Sequence, residues 1–362
     1  MLIGVPKEIK NNEYRVGITP AGVLELVSAG HQVYIESNAG AAIGLTNDLY
    51  QQAGADIIES AEQIYAQAEL IVKVKEPQAS EYGLLRPGQI LFTFLHLAAD
   101  KKLTDALIAT GATCIAYETV TDRNGALPLL TPMSEVAGRM SIQVACHAME
   151  NSQGGPGILL GGVPGVAPAN VVVLGGGVVG ESAARKAIGF GANTTVIDKS
   201  LPRLRQLDAH FGPALKTLYV TKDAIDRAIS RADIIVGAVL VPGAKAPKLI
   251  TREMLRNLKE GAVLVDVAID QGGCFETASP TTHQNPTYIE EGIIHYCVTN
   301  IPGAVARTST FALTNATLPY VLQLADNGLQ QAFEVDEGLK QGLNIKQGKV
   351  VHPAVAQAHG YK

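Results

Sequence analysis

At 362 residues, with 47% hydrophobic and 17% charged residues, the chain can bury the cores of two ordinary domains, and the balance excludes a disordered or fibrous protein. The formal charge of −5 is spread along the chain without a basic stripe, which argues against nucleic acid and acidic membranes as partners. Cys114, Cys146, Cys274 and Cys297 lie far apart and form no Cys-x-x-Cys pair, so no metal site and no disulfide framework is expected; free thiols suit a reducing, cytoplasmic compartment.

The opening Met1-Leu2-Ile3-Gly4-Val5-Pro6-Lys7-Glu8 lacks the basic, apolar, small-residue order of a signal peptide and reads as a first strand. Further strands are predicted at 32–35, 70–74, 90–94 and 113–116, separated by helical patterns at 20–29, 48–52, 61–68 and 101–110. Such alternation implies a mostly parallel, doubly wound α/β sheet. A helical stretch at 134–152, periodic through Val136, Met140, Val144 and Ala148, reads as a connecting helix. The uncharged run 157–180 is long enough to span a membrane, but Pro164, Pro168 and its glycines break it into loop, buried strand and turn. A second alternating series follows, with strands at 171–174, 194–197, 217–220, 234–238, 263–267 and 293–297 and helices at 178–190, 202–211 and 222–231. Six strands match the two halves of a complete Rossmann domain. A helix from Thr310 to about Gln331, kinked at Pro319, should carry the chain back to the first domain. The expected domains are therefore 1–133 plus 308–362, and 134–307, with the long helices joining them and the active site in the cleft.

The strand Val171-Val172-Val173-Leu174 runs into Gly175-Gly176-Gly177-Val178-Val179-Gly180 and then an Ala-rich helix. In this dinucleotide fingerprint Gly175 makes the tight turn, Gly177 lets the backbone approach a pyrophosphate, and Gly180 lets the helix pack against the strand. The following strand ends in Asp198, whose carboxylate suits the ribose hydroxyls and repels the extra phosphate of NADP. A lone glycine motif among 37 glycines would be weak; strand, turn, helix, strand and terminal acid in order make it strong and point to NAD.

Ligands of open α/β sheets bind beyond the carboxyl ends of the strands. In the first domain those ends deliver Lys75, then His96, and the first strand feeds a loop with Lys7 and Arg15. Cations and one imidazole so placed suit a small carboxylate substrate. By pattern alone a lone histidine in Phe92-Thr93-Phe94-Leu95-His96-Leu97 also fits a structural role. In the second domain the strand at 263–267 leads to Asp270, and the last strand to the loop Val298-Thr299-Asn300-Ile301-Pro302-Gly303.

At these residues the chain resembles the alanine dehydrogenase family over essentially its whole length. The strings Gly4-Val5-Pro6-Lys7-Glu8, Glu13-Tyr14-Arg15-Val16, Val72-Lys73-Val74-Lys75-Glu76-Pro77, Phe94-Leu95-His96-Leu97, Gly161-Gly162-Val163-Pro164-Gly165-Val166, Gly237-Ala238-Val239-Leu240-Val241-Pro242-Gly243 and Val265-Asp266-Val267-Ala268-Ile269-Asp270-Gln271-Gly272-Gly273 carry the likeness in order. The resemblance implies reversible oxidative deamination of L-alanine to pyruvate and ammonium with NAD, a step of L-alanine catabolism. It implies that Arg15 binds the substrate carboxylate, that Lys75 contacts the pyruvate carbonyl oxygen, and that His96 and Asp270 are the acid/base groups. It places Ser134, Gly175, Gly177, Val178, Val179, Gly180, Asp198, Arg203, Val239, Leu240, Val267, Ala268, Ile269, Asp270, Val298, Thr299, Asn300 and Ile301 at the NAD site. Val220 stands where relatives often carry a serine beside the adenine. The resemblance also implies a homohexamer.

The nearest rival is the NAD(H)-binding component of a proton-translocating transhydrogenase, which typically lacks an acid at the position of Asp270 and works with membrane segments. A saccharopine-type dehydrogenase and an NAD-sensing protein without turnover are weaker readings. The set Arg15, Lys75, His96 and Asp270 argues against the sensor.

Overall fold

The computed structural model describes residues 1–239 and 246–361, so Leu240, read above as a cofactor-site residue, lies outside the described residues. By its packing the chain divides into two compact units, Met1–Met133 with Val305–Lys362, and Ser134–Ala304.

The first unit opens with β1 (Leu2–Val5), α1 (Pro20–Ser28), β2 (Gln32–Glu36), α2 (Asn47–Gln52), β3 (Asp56–Ile58), α3 (Ala61–Gln67), β4 (Leu70–Val72), β5 (Ile90–Thr93), α4 (Lys101–Thr110) and β6 (Thr113–Ala116). Side chains start several of these helices by taking orphan amides of the first turn. Thr19 accepts from Gly22 N–H ahead of α1, Ser60 from Gln63 ahead of α3, and Asp100 from Leu103 ahead of α4. The second unit holds α5 (Thr131–Ala148) from Ser134 onward, β7 (Asn170–Leu174), α6 (Val178–Gly189), β8 (Asn193–Asp198), α7 (Leu201–Phe211), β9 (Leu215–Tyr219), α8 (Lys222–Ile229), β10 (Ile234–Gly237), β11 (Val263–Asp266), β12 (Thr287–Glu290) and β13 (Ile293–Tyr296). The chain returns to the first unit with α9 (Ala306–Val335), α10 (Glu337–Gln341), β14 (Leu343–Lys346), β15 (Lys349–Val350) and α11 (Pro353–His359).

Among the described residues each unit has one sheet. The first runs β15-β14-β6-β5-β4-β1-β2-β3, and the second β12-β13-β11-β10-β7-β8-β9. In the first, β14 lies antiparallel to β6 and β15, and the other pairs are parallel. In the second, only β12 is antiparallel. Both parallel series reverse direction beside their first strand, between β1 and β4 and between β7 and β10. Each unit is thus doubly wound and has a topological switch point, where ligands of such sheets bind. β4, β5, β6, β10, β11 and β13 are buried along their whole length, as parallel strands covered on both faces must be.

Four strands went unread in the sequence. β3 is too short for alternation to register, and β12 is an edge strand with a half-exposed TYIE pattern. β14 and β15 form a hairpin turned by Gln347 and Gly348, both at positive φ (50° and 71°). The predicted kink at Pro319 is also corrected. Pro319 sits inside α9, and the non-helical residue of that helix is Gly328, at φ 68°, ψ 171°. That conformation is open in practice to glycine alone, so the break falls where a Cβ is missing, not where an N–H is missing. A Cβ at Gly328 would meet nothing within 4 Å, which leaves backbone strain as the whole cost of Gly328→Ala. That variant should lose roughly 1–3 kcal/mol of stability in denaturant unfolding, whereas Pro319→Ala should lose none.

Candidate active site

In the first unit the carboxyl ends of β1, β4 and β5 carry the residues singled out above. Arg15, in the loop after β1, is buried, and Glu13 holds it in a two-pronged ion pair, with Nε donating to Oε1 at 2.7 Å and Nη2 to Oε2 at 2.6 Å. Its Nη1 lies 3.2 Å from the Met133 sulfur. Burial alone would raise the Glu13 carboxyl, but hydrogen bonds from Arg15 and its charge outweigh that and hold it at about 2. The guanidinium is therefore held in one orientation by a buried carboxylate.

β4 was expected to run to Val74 but ends at Val72. Beyond it the amides of Val74 and Lys75 donate to the Glu8 carboxylate at 2.6 and 3.2 Å. Burial lowers the Lys75 ammonium pKa below its usual value, and the charges of Arg15 and Lys10 lower it further. Glu76, ion-paired with Lys10, and Glu13 work in the opposite sense. Arg15 and Lys75 therefore share one electrostatic environment, at the switch point of the sheet.

β5 ends at Thr93 and leads to His96, which occupies the left-handed region at φ 51°, ψ 38°. Two contacts hold this uncommon backbone. Glu118, just past β6, accepts from Leu95 N–H at 3.2 Å and from His96 N–H at 2.5 Å, and its carboxylate lies 3.8 Å from His96 Nδ1. The imidazole stacks on Phe94 (centroids 5.9 Å, planes 5° apart), which packs edge-on against buried Tyr117. Half of the His96 side chain remains exposed, so the ring is oriented yet reachable. Sequence reasoning missed Glu8, Glu13, Glu118 and Met133 as parts of this site.

In the second unit, the glycine turn follows β7. Gly175 has φ 100°, and a Cβ on Gly180 would stand 1.8 Å from the Gly175 carbonyl oxygen. A Cβ on Gly177 would meet nothing within 4 Å, and no side chain caps α6, which begins at Val178 and Val179. Open space and uncapped amides at a helix N-terminus suit a phosphate group. Asp198 ends β8, and its carboxylate accepts from Gly176 N–H at 2.6 Å and Ser200 N–H at 2.7 Å. Arg203 on α7 donates from Nε to the Gly176 carbonyl at 2.6 Å and pairs with Glu181. Ser134 lies one helical turn before Gly138 on α5. Gly138 packs so tightly on α6 that a Cβ would come within 2.2 Å of the Val179 carbonyl oxygen. Val239 follows β10, with its Cγ2 3.0 Å from where a Gly175 Cβ would lie. The turn, Asp198, Arg203 and Val239 are thereby brought together.

The predicted strand at 263–267 ends at Asp266, fully buried, a residue sequence reasoning passed over. Its carboxylate accepts from Cys274 N–H at 2.7 Å, Ala268 N–H at 3.1 Å and Phe275 N–H at 3.3 Å, closing the neck of the loop that carries Val267, Ala268, Ile269 and Asp270. Burial raises its pKa to about 6, against the pull of those three amides. Lys248 donates to the carbonyls of Gly272 and Phe275 and ties the same loop from outside. Asp270 is exposed at the crest, in a 3₁₀ turn over Ile269–Gln271 that ends on Gly272 in the left-handed region. Val298, Thr299 and Asn300 leave β13, with Ile301 opening the next turn; the Asn300 carbonyl contacts the His283 ring at 2.8 Å. Val220 packs on the apolar cluster around Ile225 and Ile229.

Two doubly wound units, one with a clamped arginine and lysine and one with an open glycine turn, define a two-domain α/β protein of Rossmann type. Residues 4–137 match the family described as Alanine dehydrogenase/PNT, N-terminal domain, and residues 141–353 match its C-terminal domain. The chain belongs to the alanine dehydrogenase/PNT family. It is 59% identical to the alanine dehydrogenase of Halomonas elongata, covering 99% of this chain and 97% of that protein. It is 56% identical to that of Mycolicibacterium smegmatis, covering 99% and 96%. A solved structure of an L-alanine dehydrogenase, 51% identical, superposes with a TM-score of 0.96 over 99% of each chain. A transhydrogenase from Sinorhizobium meliloti shares the fold at 24% identity, with a TM-score of 0.83 over 98% of this chain and 100% of that one.

The Glu13–Arg15 pair makes a prediction with a definite sign. Because the Glu13 carboxyl is lower in the folded chain (about 2) than its ordinary 4.5, its contribution is complete above pH 4.5 and is lost as pH falls toward 2. Glu13→Gln should therefore melt below the native protein at neutral pH, by on the order of 3 kcal/mol for a broken buried pair. Melting curves across pH should show that gap closing between 4.5 and 2.

Proposed function

We propose that this chain catalyses the reversible oxidative deamination of L-alanine to pyruvate and ammonium, with NAD as the hydride acceptor. The match carrying this reading spans both units at 50–59% identity to proteins named alanine dehydrogenase. The transhydrogenase reading rests on fold alone, at 24% identity. The cysteines Cys114, Cys146, Cys274 and Cys297 are all free, which fits the cytoplasmic setting we propose, and burial pushes Cys114, Cys274 and Cys297 up to about 12, leaving those three thiols inert. A homohexamer, as the family resemblance implies, would be tested by light scattering after gel filtration.

The second unit fits a dinucleotide. The turn Gly175–Gly180 and the start of α6 would take the pyrophosphate, and Asp198 the ribose of the adenosine half. Ser134, Arg203, Val239, Val267, Ala268, Ile269, Asp270, Val298, Thr299, Asn300 and Ile301 would line the rest. Bound there, NAD supplies the acceptor for the hydride that leaves Cα of alanine. The work of the chain's own residues follows from their chemistry. Arg15 holds the substrate carboxylate, and its pairing with Glu13 keeps the guanidinium in place as substrates exchange. Loss of hydride leaves the substrate as an iminium, which water must attack before ammonia departs. His96 and Asp270 take the proton from that water and return one to the leaving nitrogen. Lys75 places positive charge beside the oxygen that becomes the carbonyl of pyruvate.

NADH absorbance tests the reaction: the protein should reduce NAD with L-alanine and oxidise NADH with pyruvate only when ammonium is present. Turnover of pyruvate without ammonium would mark a 2-hydroxy-acid dehydrogenase instead. NADP should be a far poorer cofactor, because the Asp198 carboxylate repels a 2′-phosphate.

Asp270→Asn keeps size and shape but loses basicity. Its kcat for alanine should fall on the order of 10²–10⁴-fold, while NADH affinity, read by fluorescence titration, changes little. Near-native turnover would remove Asp270 from the acid/base pair.

A further inference from the structure

The first unit contains a charge cluster that the reaction above does not use. Lys73 is fully buried, with its ammonium 3.2 Å from Glu8 Oε2 and 2.9 Å from Glu81 Oε1. Glu81 is fixed in turn by the Tyr65 hydroxyl at 3.0 Å and the Gln78 amide at 2.7 Å. Buried ions are costly, and one lysine against two carboxylates contributes little net stability. The geometry suggests another use. Glu8 spends Oε2 on Lys73 and points Oε1 at the amides of Val74 and Lys75. On the other side of the same residue, the buried Thr93 hydroxyl donates to the Lys75 carbonyl at 2.9 Å. The Phe94 amide donates to the Val74 carbonyl at 3.3 Å. Lys75 is therefore gripped by side chains at both its N–H and its C=O, directly after Val74, the last residue bonded by backbone to the β5 side.

We infer that Glu8 is a positioning residue for Lys75: locked by Lys73 and Glu81, it and Thr93 hold the Lys75 backbone so that the ammonium meets the carbonyl oxygen of the 2-oxo acid. The inference rests on the role proposed above for Lys75. Glu8 touches no substrate in this account. It acts by removing play from Lys75, the first residue past the last backbone bond to the β5 side, and displacement of a catalytic group by about 1 Å can cost on the order of 10²-fold in rate.

Two substitutions separate positioning from mere stability. Glu8→Leu and Glu8→Gln both break the ion pair with Lys73 and leave Lys73 with Glu81, so both should melt below the native protein, Glu8→Leu the lower because it also strands two amides, and activity is compared at a temperature where both are fully folded. Only the carboxamide keeps an oxygen for the Val74 and Lys75 amides. With NADH and ammonium saturating, kcat/KM for pyruvate should fall about 10²-fold in Glu8→Leu and at most about tenfold in Glu8→Gln. The Kd for NADH should stay within about twofold in both, since those contacts lie in the second unit. Equal activity in the two variants, or native kcat/KM in Glu8→Leu, would overturn the inference. Should Glu8→Leu fail to fold, Thr93→Val releases the other end of Lys75 at nearly constant volume, and native kcat/KM there would overturn it as well. Lys75→Met is the control. If it keeps native turnover, the role of Lys75 fails and takes the inference with it; if it is inactive while Glu8→Leu is not, the positioning role alone fails.

Discussion

Parallel strands end with backbone amides reaching past the last rung of the ladder, and in both units carboxylates take them up. Glu8 accepts from the segment after β4, Glu118 from the segment after β5, Asp198 from the turn after β7, and Asp266 from the loop after β11. An amide buried without a partner is costly, and a carboxylate has two oxygens with room for several donors. One acid can thus fix a loop at two or three points. The course of each loop is then set by backbone contacts, independently of Lys75, His96 and Asp270, the side chains assigned to the chemistry. His96 shows the effect most sharply, because its left-handed backbone persists beside the Glu118 carboxylate.

The two sheets solve one problem in two chemistries. Each reverses direction beside its first strand, so two loops diverge there and leave room for a ligand. The first unit fills that point with a paired arginine and a desolvated lysine, a setting for a small organic acid. The second unit keeps it open, with side chains withheld at Gly175, Gly177 and Gly180, a setting for an extended phosphate group.

Much of this was legible in the sequence. Alternating strand and helix patterns located the parallel strands of both units except β3, and the glycine turn with Asp198 declared itself by order and spacing. What escaped reading was either short or distant. β12, β14 and β15 are edge strands whose partners are set by tertiary packing, and β3 spans only Asp56–Ile58. Pro319 drew the predicted kink because a missing N–H is visible in a sequence, whereas the room that lets proline stay in a helix is not. Glu8 and Glu118 meet their amides across long separations that no local pattern records. Yet a signal existed: Asp198 and Asp266 are the last residues of their strands, and Glu118 lies just beyond β6. The rule that picked out Asp198 would have found the others, had it been applied to structural roles and not to cofactor recognition alone.

The pairing of β14 with β6 bears on how the chain is made. Cys114 and Ile115 wait for Leu343 and Ile345, which leave the ribosome only after the entire second unit. At 5–20 residues per second that interval is roughly 10–45 s. Throughout it the nascent first unit has an apolar strand with an unsatisfied edge, the kind of surface that recruits other unfinished chains. A fold interrupted by another fold is thus exposed during synthesis in a way the finished protein never is, and it favours a cell that shields emerging polypeptide until its last strands arrive.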